Sequence, residues 1–321
     1  MKTSSIACSG PIGQVAFDIL NPFGEIKIAN DNSEQALFEI MADAVGLVLR
    51  GDGVGNNRII DAAPNLKVIG RSGVGFDNVD IKKANERGIP VIITPGANSQ
   101  AVAEASITYM LAFCKKMIFW DTQLKQGNWK SRFEHASGDL QGATLGIVGF
   151  GSIGQTLARL VRPFGMQAIY YDPFVDEETA KEFGAAPSDL DGLLKNSDFV
   201  SLHTLLNEET RGMINHERLF AMKEGSFLIN LSRGPVVESL DSVYQALTDG
   251  PLGGCALDVF DPEPPDVSHP IFKLENCLTS PHAICMSERA LYTSFKMMAE
   301  DMAAVLEGKR PKYTANPEIF E

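Results

Sequence analysis

The stretch "TLGIVGFGSIGQTLARL", residues 144–160, carries the pattern that decides the fold. A short apolar run leads into three glycines spaced G-x-G-x-x-G, at Gly149, Gly151 and Gly154, and a helical pattern follows. The first glycine permits a tight turn, the second lets a pyrophosphate approach the backbone, and the third lets the helix pack closely on the strand. Free N–H groups at the start of that helix attract an anion. The stretch therefore predicts a strand, a dinucleotide-binding turn and a helix.

An acidic residue stands at a suitable distance beyond this turn. Asp172 ends the next apolar run, 18 residues after Gly154, close to the spacing of about 20 residues at which such folds hold a ribose. Its carboxylate can accept hydrogen bonds from both ribose hydroxyls, and its charge would repel a 2′-phosphate. The sequence therefore predicts NAD, rather than NADP, as the cofactor.

Short apolar runs alternate with longer amphipathic segments along most of the chain. Most of these runs are rich in Val and Ile and lack strict alternation, which is typical of parallel strands covered on both faces. Repeated alternation of strand and helix predicts the α/β class with a parallel sheet. The predicted strands lie at 46–50, 66–70, 90–94, 145–149, 168–172, 198–203, 227–231, 255–260 and 276–280.

The length of 321 residues exceeds one ordinary core and favours two domains. A long apolar helical pattern at 98–117 separates the first three predicted strands from the others, which places a domain boundary near residue 100. A second long helix is predicted at 292–308. The proline-containing tail beyond it is expected to cross back to the first domain.

The formal net charge of −13 disfavours binding to nucleic acids and to anionic membranes. The chain has no apolar run of about 18 residues, which a membrane-spanning helix needs, and its N-terminus lacks a signal-peptide pattern. The five cysteines are scattered and odd in number. We therefore expect neither a disulfide framework nor a metal site, and we predict a cytoplasmic protein.

Charged side chains follow three successive predicted strands. Arg233, Glu263 and His282 stand beyond the runs at 227–231, 255–260 and 276–280. Because parallel strands end at the same edge of a sheet, these groups are expected to gather near the dinucleotide turn. An arginine offers a planar fork to a carboxylate, and a histidine beside a carboxylate can deliver a proton. Hydride transfer to a 2-oxo acid requires such a set.

Each of these residues alone has a simpler interpretation. A strand-end arginine is usually part of a surface ion pair, Glu263 fits a loop charge, and His282 fits a core histidine. Together, behind a dinucleotide turn, the three favour catalysis. Two other glycine loops, at 51–56 and 73–78, lack the third glycine and predict tight turns suited to a small anion such as a carboxylate.

Several motifs stand in a fixed order along nearly the whole chain. In that order they resemble the D-isomer-specific 2-hydroxyacid dehydrogenases, which include 3-phosphoglycerate, glyoxylate/hydroxypyruvate and D-lactate dehydrogenases. The motifs are "GRSGVGFDNVD" (70–80), "TPGANSQAVAE" (94–104), "GIVGFGSIG" (146–154), "HTLLNEETRGMIN" (203–215), "INLSRGPVV" (229–237), "ALDVFDPEPP" (256–265) and "SPH" (280–282).

The resemblance implies an architecture as well as an activity. It implies two flavodoxin-like or Rossmann-like doubly wound domains with a cleft between them. The substrate domain would be discontinuous, comprising residues 1–99 plus 292–321, and residues 100–291 would form the NAD-binding domain. Members of the family are usually homodimers.

The resemblance also implies a role for each matching residue. Arg233 would bind the carboxylate and carbonyl of the substrate, His282 would be the acid/base, and Glu263 would be its partner. Asp258 would contact the nicotinamide amide. The backbone at Ser152 and Ile153 would hold the pyrophosphate. The remaining implied residues line the cofactor (Thr204, Leu205, Thr210, Leu231 and Ser232) or the substrate (Val74, Gly75 and Asn98).

The chain departs from the family pattern at two places. The family often has proline where Leu205 stands, and it usually has a small residue where Ile284 stands, which is expected to reshape the pocket. NAD-responsive corepressors related to this family carry an aromatic residue before a Ser-Glu pair in this loop, whereas here Cys285 and Met286 precede Ser287-Glu288. A corepressor-type binding protein is an alternative that both the missing aromatic residue and the intact Arg, Glu and His disfavour.

The motifs before residue 145 look most like those of 3-phosphoglycerate dehydrogenases. A phosphorylated substrate would suit an arginine, with Arg50, Arg71 and Arg132 as candidates. Such an enzyme would be a short one, with no regulatory domain expected after Glu321. Reduction of hydroxypyruvate or glyoxylate is the alternative activity.

Overall fold

A computed structural model describes residues 4–31, 33–51 and 53–321 of the chain. These residues divide into two compact units. One unit contains the chain up to Asn98 together with Met286–Glu321, and the other contains Ser99–Cys285. Both units are built on parallel sheets, which confirms the predicted α/β class.

The first unit contains a five-stranded parallel sheet in the order β2-β1-β3-β4-β5. This is the flavodoxin-like strand order. The strands are β1 (Ser5–Cys8), β2 (Glu25–Ile28), β3 (Ala44–Leu49), β4 (Val68–Arg71) and β5 (Val91–Ile92). The helices before the division point are α1 (Gln14–Leu20), α2 (Glu34–Phe38), α3 (Asn57–Asp61) and α4 (Ile81–Glu86).

The second unit contains a seven-stranded parallel sheet in the order β12-β11-β10-β9-β6-β7-β8. Counted from β6, this is the Rossmann order 3-2-1-4-5-6 with one more strand added. The strands are β6 (Thr144–Val148), β7 (Gln167–Tyr171), β8 (Ala185–Pro187), β9 (Phe199–Leu202), β10 (Phe227–Asn230), β11 (Gly254–Leu257) and β12 (Cys277–Thr279). The helices are α5 (Ser99–Cys114), α6 (Met117–Lys125), α7 (Ser152–Val161), α8 (Glu177–Glu182), α9 (Leu190–Asn196), α10 (His216–Phe220) and α11 (Leu240–Thr248).

Both faces of the seven-stranded sheet are buried in apolar clusters, as the apolar runs predicted. One cluster contains Val200 and Leu228 with the helices α9 and α11, and the other contains Ile147 and Ile229 with α5 and α7. Side chains that alternate along one strand therefore enter opposite clusters. This burial fixes the register of the strands and hence the positions at which they end.

The C-terminal segment returns to the first unit. Helix α12 (Glu288–Leu306) packs against β4, and the following tail forms a bridge between Thr314 and Ile92. The fully buried Asn316 accepts a hydrogen bond from the Val91 N–H at 2.9 Å and donates one to the Ile89 carbonyl at 3.0 Å. These bonds complete the edge of β5 and attach the tail to the unit.

The second unit ends at Cys285 and the returning segment begins at Met286, just before Ser287, which caps α12. The resemblance implied a boundary between 291 and 292. The helix predicted at 98–117 ends at Cys114, because Lys116 adopts a left-handed backbone with φ of +50°, and α6 begins at Met117. Strands β1, β2 and β8 were not predicted. No helix in the described part of the chain is long and apolar enough to cross a membrane.

Candidate active site

The strand order of the second unit reverses between β6 and β9, and such a reversal point is where ligands bind in doubly wound sheets. At this point Gly149 follows β6 with a left-handed φ of +93°. A β-carbon at Gly149 would lie 2.7 Å from the carbonyl carbon of His203, which follows β9. Only glycine permits this approach, so the two strand ends lie against each other.

The glycine turn leads into helix α7 with its amide groups uncovered. A β-carbon at Gly154 would lie 2.4 Å from the Gly149 carbonyl oxygen, so this glycine is needed for packing. Gly151, by contrast, has no atom within 4 Å of the position where a β-carbon would stand, and no side chain caps the helix. Open space thus lies beside the backbone of Gly151, Ser152 and Ile153, where a pyrophosphate would fit.

Asp172 lies beside this turn, after β7. One carboxylate oxygen accepts a hydrogen bond from the Phe150 N–H at 2.8 Å, and the other accepts one from the Phe174 N–H at 2.9 Å. The side chain is therefore oriented by the glycine turn itself. An oriented carboxylate at this position can receive two ribose hydroxyls.

Two polar atoms at the end of β9 are buried without a hydrogen-bond partner: Nδ1 of His203 and Oγ1 of Thr204. Burial lowers the pKa of His203 to about 3, so the imidazole is neutral, and its Nε2 lies 2.9 Å from the Ser201 hydroxyl. A buried polar atom without a partner is costly. The Thr204 hydroxyl therefore fits a ligand at this edge, and this supports a dinucleotide beside the turn.

In the loop that follows Thr204, the Thr210 hydroxyl makes hydrogen bonds to the backbone on both sides. Thr210 donates to the Leu205 carbonyl at 2.6 Å, and its own hydroxyl oxygen accepts the Asn207 N–H at 2.9 Å. The Leu205 side chain is half exposed. The bond from Thr210 closes the turn at a position where the family often has proline.

Arg233 follows β10 in a turn that Asn230 organises. The buried Asn230 side chain donates to the Arg233 carbonyl at 2.9 Å and accepts from both the N–H and the hydroxyl of Ser232. A β-carbon at Gly234 would lie 2.1 Å from the backbone of Phe260. The turn that carries Arg233 therefore contacts the loop after β11, where Glu263 lies.

His282 and Glu263 form a direct pair. Nδ1 of His282 lies 2.9 Å from Oε2 of Glu263, with the two side chains 40% and 29% exposed. His282 has a left-handed backbone with φ of +52°, which is unusual for a residue other than glycine. The bond at Nδ1 orients the ring and leaves Nε2 as the nitrogen that can exchange a proton with a ligand.

Glu263 is held in the ionised form. Burial acts to raise its pKa, but the hydrogen bond to His282, the Phe260 N–H at 3.0 Å and the charges of His282 and Arg233 together lower it. The pair is thus a carboxylate facing an imidazole. Such a pair can support an imidazolium while a proton is transferred.

Asp258 has contacts that sequence reasoning missed. This buried carboxylate accepts the Ser280 hydroxyl at 2.5 Å and the Ala283 N–H at 2.9 Å through the same oxygen, Oδ1. Ser280 in turn lies 2.7 Å from the hydroxyl of Tyr109 on α5. The predicted role of Asp258 was a contact with nicotinamide, and the structure adds that it holds the turn around His282.

Four further residues near these strand ends are buried or partly buried. Ser232 is buried, and Leu231 and Ile284 pack in part against the cluster that contains Ile147. Burial raises the pKa of the Cys285 thiol, so this thiol is neutral at ordinary pH. The large Ile284 side chain is therefore accommodated in part within the apolar cluster.

Apart from Arg233, the substrate residues implied by the resemblance lie in the first unit. Val74 and Gly75 occupy the turn after β4, and Asn98 ends the unit's first segment. The Gly73 carbonyl of that turn accepts the Thr94 N–H at 3.1 Å, and the Thr94 hydroxyl is buried without a partner. In the other loop, at 51–56, Asp52 lies outside the described residues.

The three arginines considered for a phosphate are all engaged locally. Arg50 donates to the Pro11 carbonyl at 2.6 Å, and Arg71 donates to the Asn78 side chain at 3.2 Å. Arg132 stacks over the rings of Trp129 and Phe133, 4.6 Å from each centroid. These contacts do not single out one of them for a phosphate.

We predict a pH-dependent stability difference between the wild type and Glu263→Gln. Because folding lowers the pKa of Glu263, its contribution is complete above the ordinary value of 4.5 and is lost as pH falls through the lower folded value. With solvent screening, we expect the variant to be about 1 kcal/mol less stable at neutral pH. Urea unfolding from neutral pH to below 4.5 measures the difference, with exposed Glu224→Gln as control. A difference that does not shrink at low pH would contradict this assignment.

We also predict that Gly151→Ala folds normally but binds NADH more weakly. Its φ of −71° suits alanine and its side-chain space is open, so the melting temperature should be unchanged. The added methyl occupies the space proposed for the pyrophosphate, and we expect the dissociation constant to rise about 10-fold. Fluorescence titration with NADH tests this, and unchanged affinity would show that the pyrophosphate lies elsewhere.

The chain is similar in sequence to known proteins over both of its units. The model of the "D-isomer specific 2-hydroxyacid dehydrogenase, NAD binding domain" family matches residues 107–283, all within the second unit. The D-3-phosphoglycerate dehydrogenase of Methanocaldococcus jannaschii is 36% identical over 313 residues, which cover 97% of this chain. The chain spans only 59% of the length of that protein.

Two further proteins extend the comparison. The glyoxylate reductase of Korarchaeum cryptofilum is 37% identical over 293 residues, covering 90% of this chain and 88% of that protein. The crystal structure of a D-lactate dehydrogenase from Aquifex aeolicus, in complex with NAD and lactic acid, is 28% identical with a TM-score of 0.86. It covers 95% of this chain and 96% of that one. The chain therefore belongs to the D-isomer specific 2-hydroxyacid dehydrogenase family, and its second unit is the NAD-binding domain of that family.

Proposed function

We propose that the protein is an NAD-dependent oxidoreductase that interconverts a 2-oxo acid and a D-2-hydroxy acid. One observation carries the proposal. Arg233 and the hydrogen-bonded pair of His282 and Glu263 follow β10, β12 and β11, which are adjacent parallel strands, and they lie at the edge of the sheet that carries the glycine turn. Anion recognition, proton transfer and cofactor binding thus share one edge.

Arg233, His282 and Glu263 have different proposed roles in the reaction. When bound, NADH supplies the hydride for the carbonyl carbon. The Arg233 guanidinium binds the carboxylate of the acid and polarises the neighbouring carbonyl group. His282 donates the proton from Nε2 to the carbonyl oxygen, which becomes the hydroxyl group, and in the opposite direction it accepts that proton. Glu263 orients the ring at Nδ1 and balances the positive charge of the imidazolium.

We further propose that residues of the first unit contribute to binding of the acid. The amide groups of Val74 and Gly75, in the turn after β4, suit the substrate carboxylate, with Asn98 as an additional donor. These roles follow from the motifs that the chain shares with its family.

Among 2-oxo acids, we propose 3-phosphohydroxypyruvate and its product 3-phosphoglycerate as the first pair to test. The motifs of the first unit support it, as does the similarity to a named phosphoglycerate dehydrogenase over 97% of the chain. The similarity to a named glyoxylate reductase supports the alternative, reduction of glyoxylate or hydroxypyruvate. A phosphate group on the substrate is therefore the property that separates the two.

We further propose that the protein is a cytoplasmic homodimer. The segment 117–133 exposes a run of large apolar side chains, of which Trp129 is 60% and Phe133 is 76% exposed. It also carries charges of both signs, such as Asp121 and Arg132. A two-fold interface must be complementary to itself. The segment 117–133 is self-complementary because its apolar rings and its opposite charges can each pair with their copies. The rest of the chain's surface is less suited to this, because a net charge of −13 makes two copies repel each other.

The activity is tested by NADH oxidation with phosphohydroxypyruvate, hydroxypyruvate, glyoxylate and pyruvate. We expect turnover with at least one acid, and we expect His282→Ala to lower kcat by about 10²-fold or more while NADH still binds. His216→Ala, which removes a ring tilted by 31° against that of Phe220, serves as the matched control. NADH binding without turnover on any acid would refute the proposed activity. A higher kcat/KM for hydroxypyruvate than for its phosphate ester would refute the phosphoglycerate assignment alone.

The homodimer is tested by light scattering after size exclusion. The wild type should have twice the 34.8 kDa mass of one chain, and the double variant Trp129→Ser/Phe133→Ser should have the mass of one chain, because it removes the exposed rings. Val267→Ser changes an equally exposed apolar residue outside the segment and should leave the mass unchanged. A monomeric wild type, or a dimeric double variant, would contradict this interface.

A further inference from the structure

We propose that Tyr109 is a positioning residue: its hydroxyl, acting through Ser280 and Asp258, fixes the turn that presents His282. The kinetic part of this inference rests on the proposed oxidoreductase activity, whereas the structural part concerns the protein without ligands. Neither the family motifs nor the strand pattern assigns a role to Tyr109, which lies in the middle of helix α5.

Three hydrogen bonds connect this helix to the turn. The Tyr109 side chain is buried, and its hydroxyl oxygen lies 2.7 Å from the hydroxyl oxygen of Ser280. Ser280 lies 2.5 Å from Oδ1 of Asp258, and the same Oδ1 accepts the N–H of Ala283 at 2.9 Å. The chain of contacts therefore runs from α5 to the residues before and after Pro281-His282.

The direction of these bonds follows from the chemistry of the groups. An ionised carboxylate only accepts, so Ser280 must donate its single proton to Asp258. The hydroxyl oxygen of Ser280 is then an acceptor toward Tyr109, which must be the donor. Burial raises the pKa of Tyr109, against the bond to Ser280 and with help from the charge of Asp258, so the donor proton is retained at neutral pH.

The turn needs such support because of its backbone. His282 adopts a left-handed conformation, which is unfavourable for a side chain of its size, and Ser280 and Ala283 flank it on both sides. Both flanking residues are bound to one carboxylate oxygen of Asp258, and Ser280 also accepts the His282 N–H through its carbonyl at 3.0 Å. The Tyr109 hydroxyl donates its proton to the Ser280 oxygen. This directs the Ser280 proton toward Asp258, the orientation in which all these hydrogen bonds form.

The replacement Tyr109→Phe removes this proton and keeps the ring. In the ligand-free protein, we expect amide hydrogen exchange of the segment 280–285 to accelerate about 10-fold, because the turn opens more often. In the active enzyme, we expect kcat to fall about 10-fold with little change in KM for NADH, because a displaced His282 slows proton transfer without altering the glycine turn. Ser280→Thr retains the hydroxyl, so alone it should change neither the exchange of 280–285 nor kcat appreciably. Combined with Tyr109→Phe, it should restore neither the slow exchange nor the wild-type kcat.

The matched control is Tyr170→Phe, which removes another buried hydroxyl of the same unit, one that donates to the Val175 carbonyl at 3.3 Å. It should leave the exchange of 280–285 and kcat unchanged. The double variant Tyr109→Phe/Ser280→Ala should be no slower than Ser280→Ala alone, because both changes break one chain of bonds.

The outcomes separate this inference from the proposed activity. Wild-type exchange in 280–285 for Tyr109→Phe, or multiplied effects in the double variant, would overturn the role of Tyr109 while the activity stands. A wild type without turnover would refute the activity, and the exchange measurement would still decide whether Tyr109 holds the turn. Equal losses in Tyr109→Phe and Tyr170→Phe would reduce the effect to general packing.

Discussion

The backbone of Gly149 lies so close to that of His203 that a β-carbon would stand 2.7 Å from the His203 carbonyl carbon. This contact joins the ends of β6 and β9, the two strands between which the order of the sheet reverses. Because the sheet is parallel, the carboxyl ends of all its strands lie along the same end of the sheet. The positions of the glycine turn, Arg233 and His282 all depend on this arrangement.

Buried polar side chains at strand ends convert that edge into a site with defined geometry. Asn230 orients the turn of Arg233, and Asp258 holds the residues around His282. The backbone approach of Gly234 to Phe260 then brings the Arg233 turn against the loop of Glu263. The residues proposed for chemistry are half exposed, whereas the residues that orient them are buried. Packing and hydrogen bonding thus fix groups that remain accessible to a ligand.

Those parts of the fold that depend on continuous apolar runs and on glycine chemistry were predictable from the sequence. Strand β6 with its glycine turn is an example, since both the strand and the reason for each glycine can be read from residues 144–154. Strand β2, "EIKI", alternates polar and apolar residues over only four positions at the sheet edge, and β8 is three residues long. Such short strands form because they pair with a neighbouring strand, and their sequences are too short to show a clear strand periodicity.

The pairing of His282 with Glu263 was predictable because strand ends of a parallel sheet converge. The hydroxyl chain from Tyr109 was not, because 171 residues separate Tyr109 from Ser280 and the tyrosine fits the apolar pattern of its helix. The break at Lys116 likewise depends on a local left-handed backbone for which the sequence contains no glycine. Contacts between side chains that are distant in sequence require the structure.

A crystal structure of the protein with bound NADH would show whether the carboxyl ends of the strands of the seven-stranded sheet hold both the cofactor and the proton donor. In that structure we expect the pyrophosphate against the amides of Gly151, Ser152 and Ile153, a ribose on Asp172, and the nicotinamide beside Arg233 and His282. A dinucleotide whose nicotinamide lies away from the ends of β10, β11 and β12 would contradict this expectation.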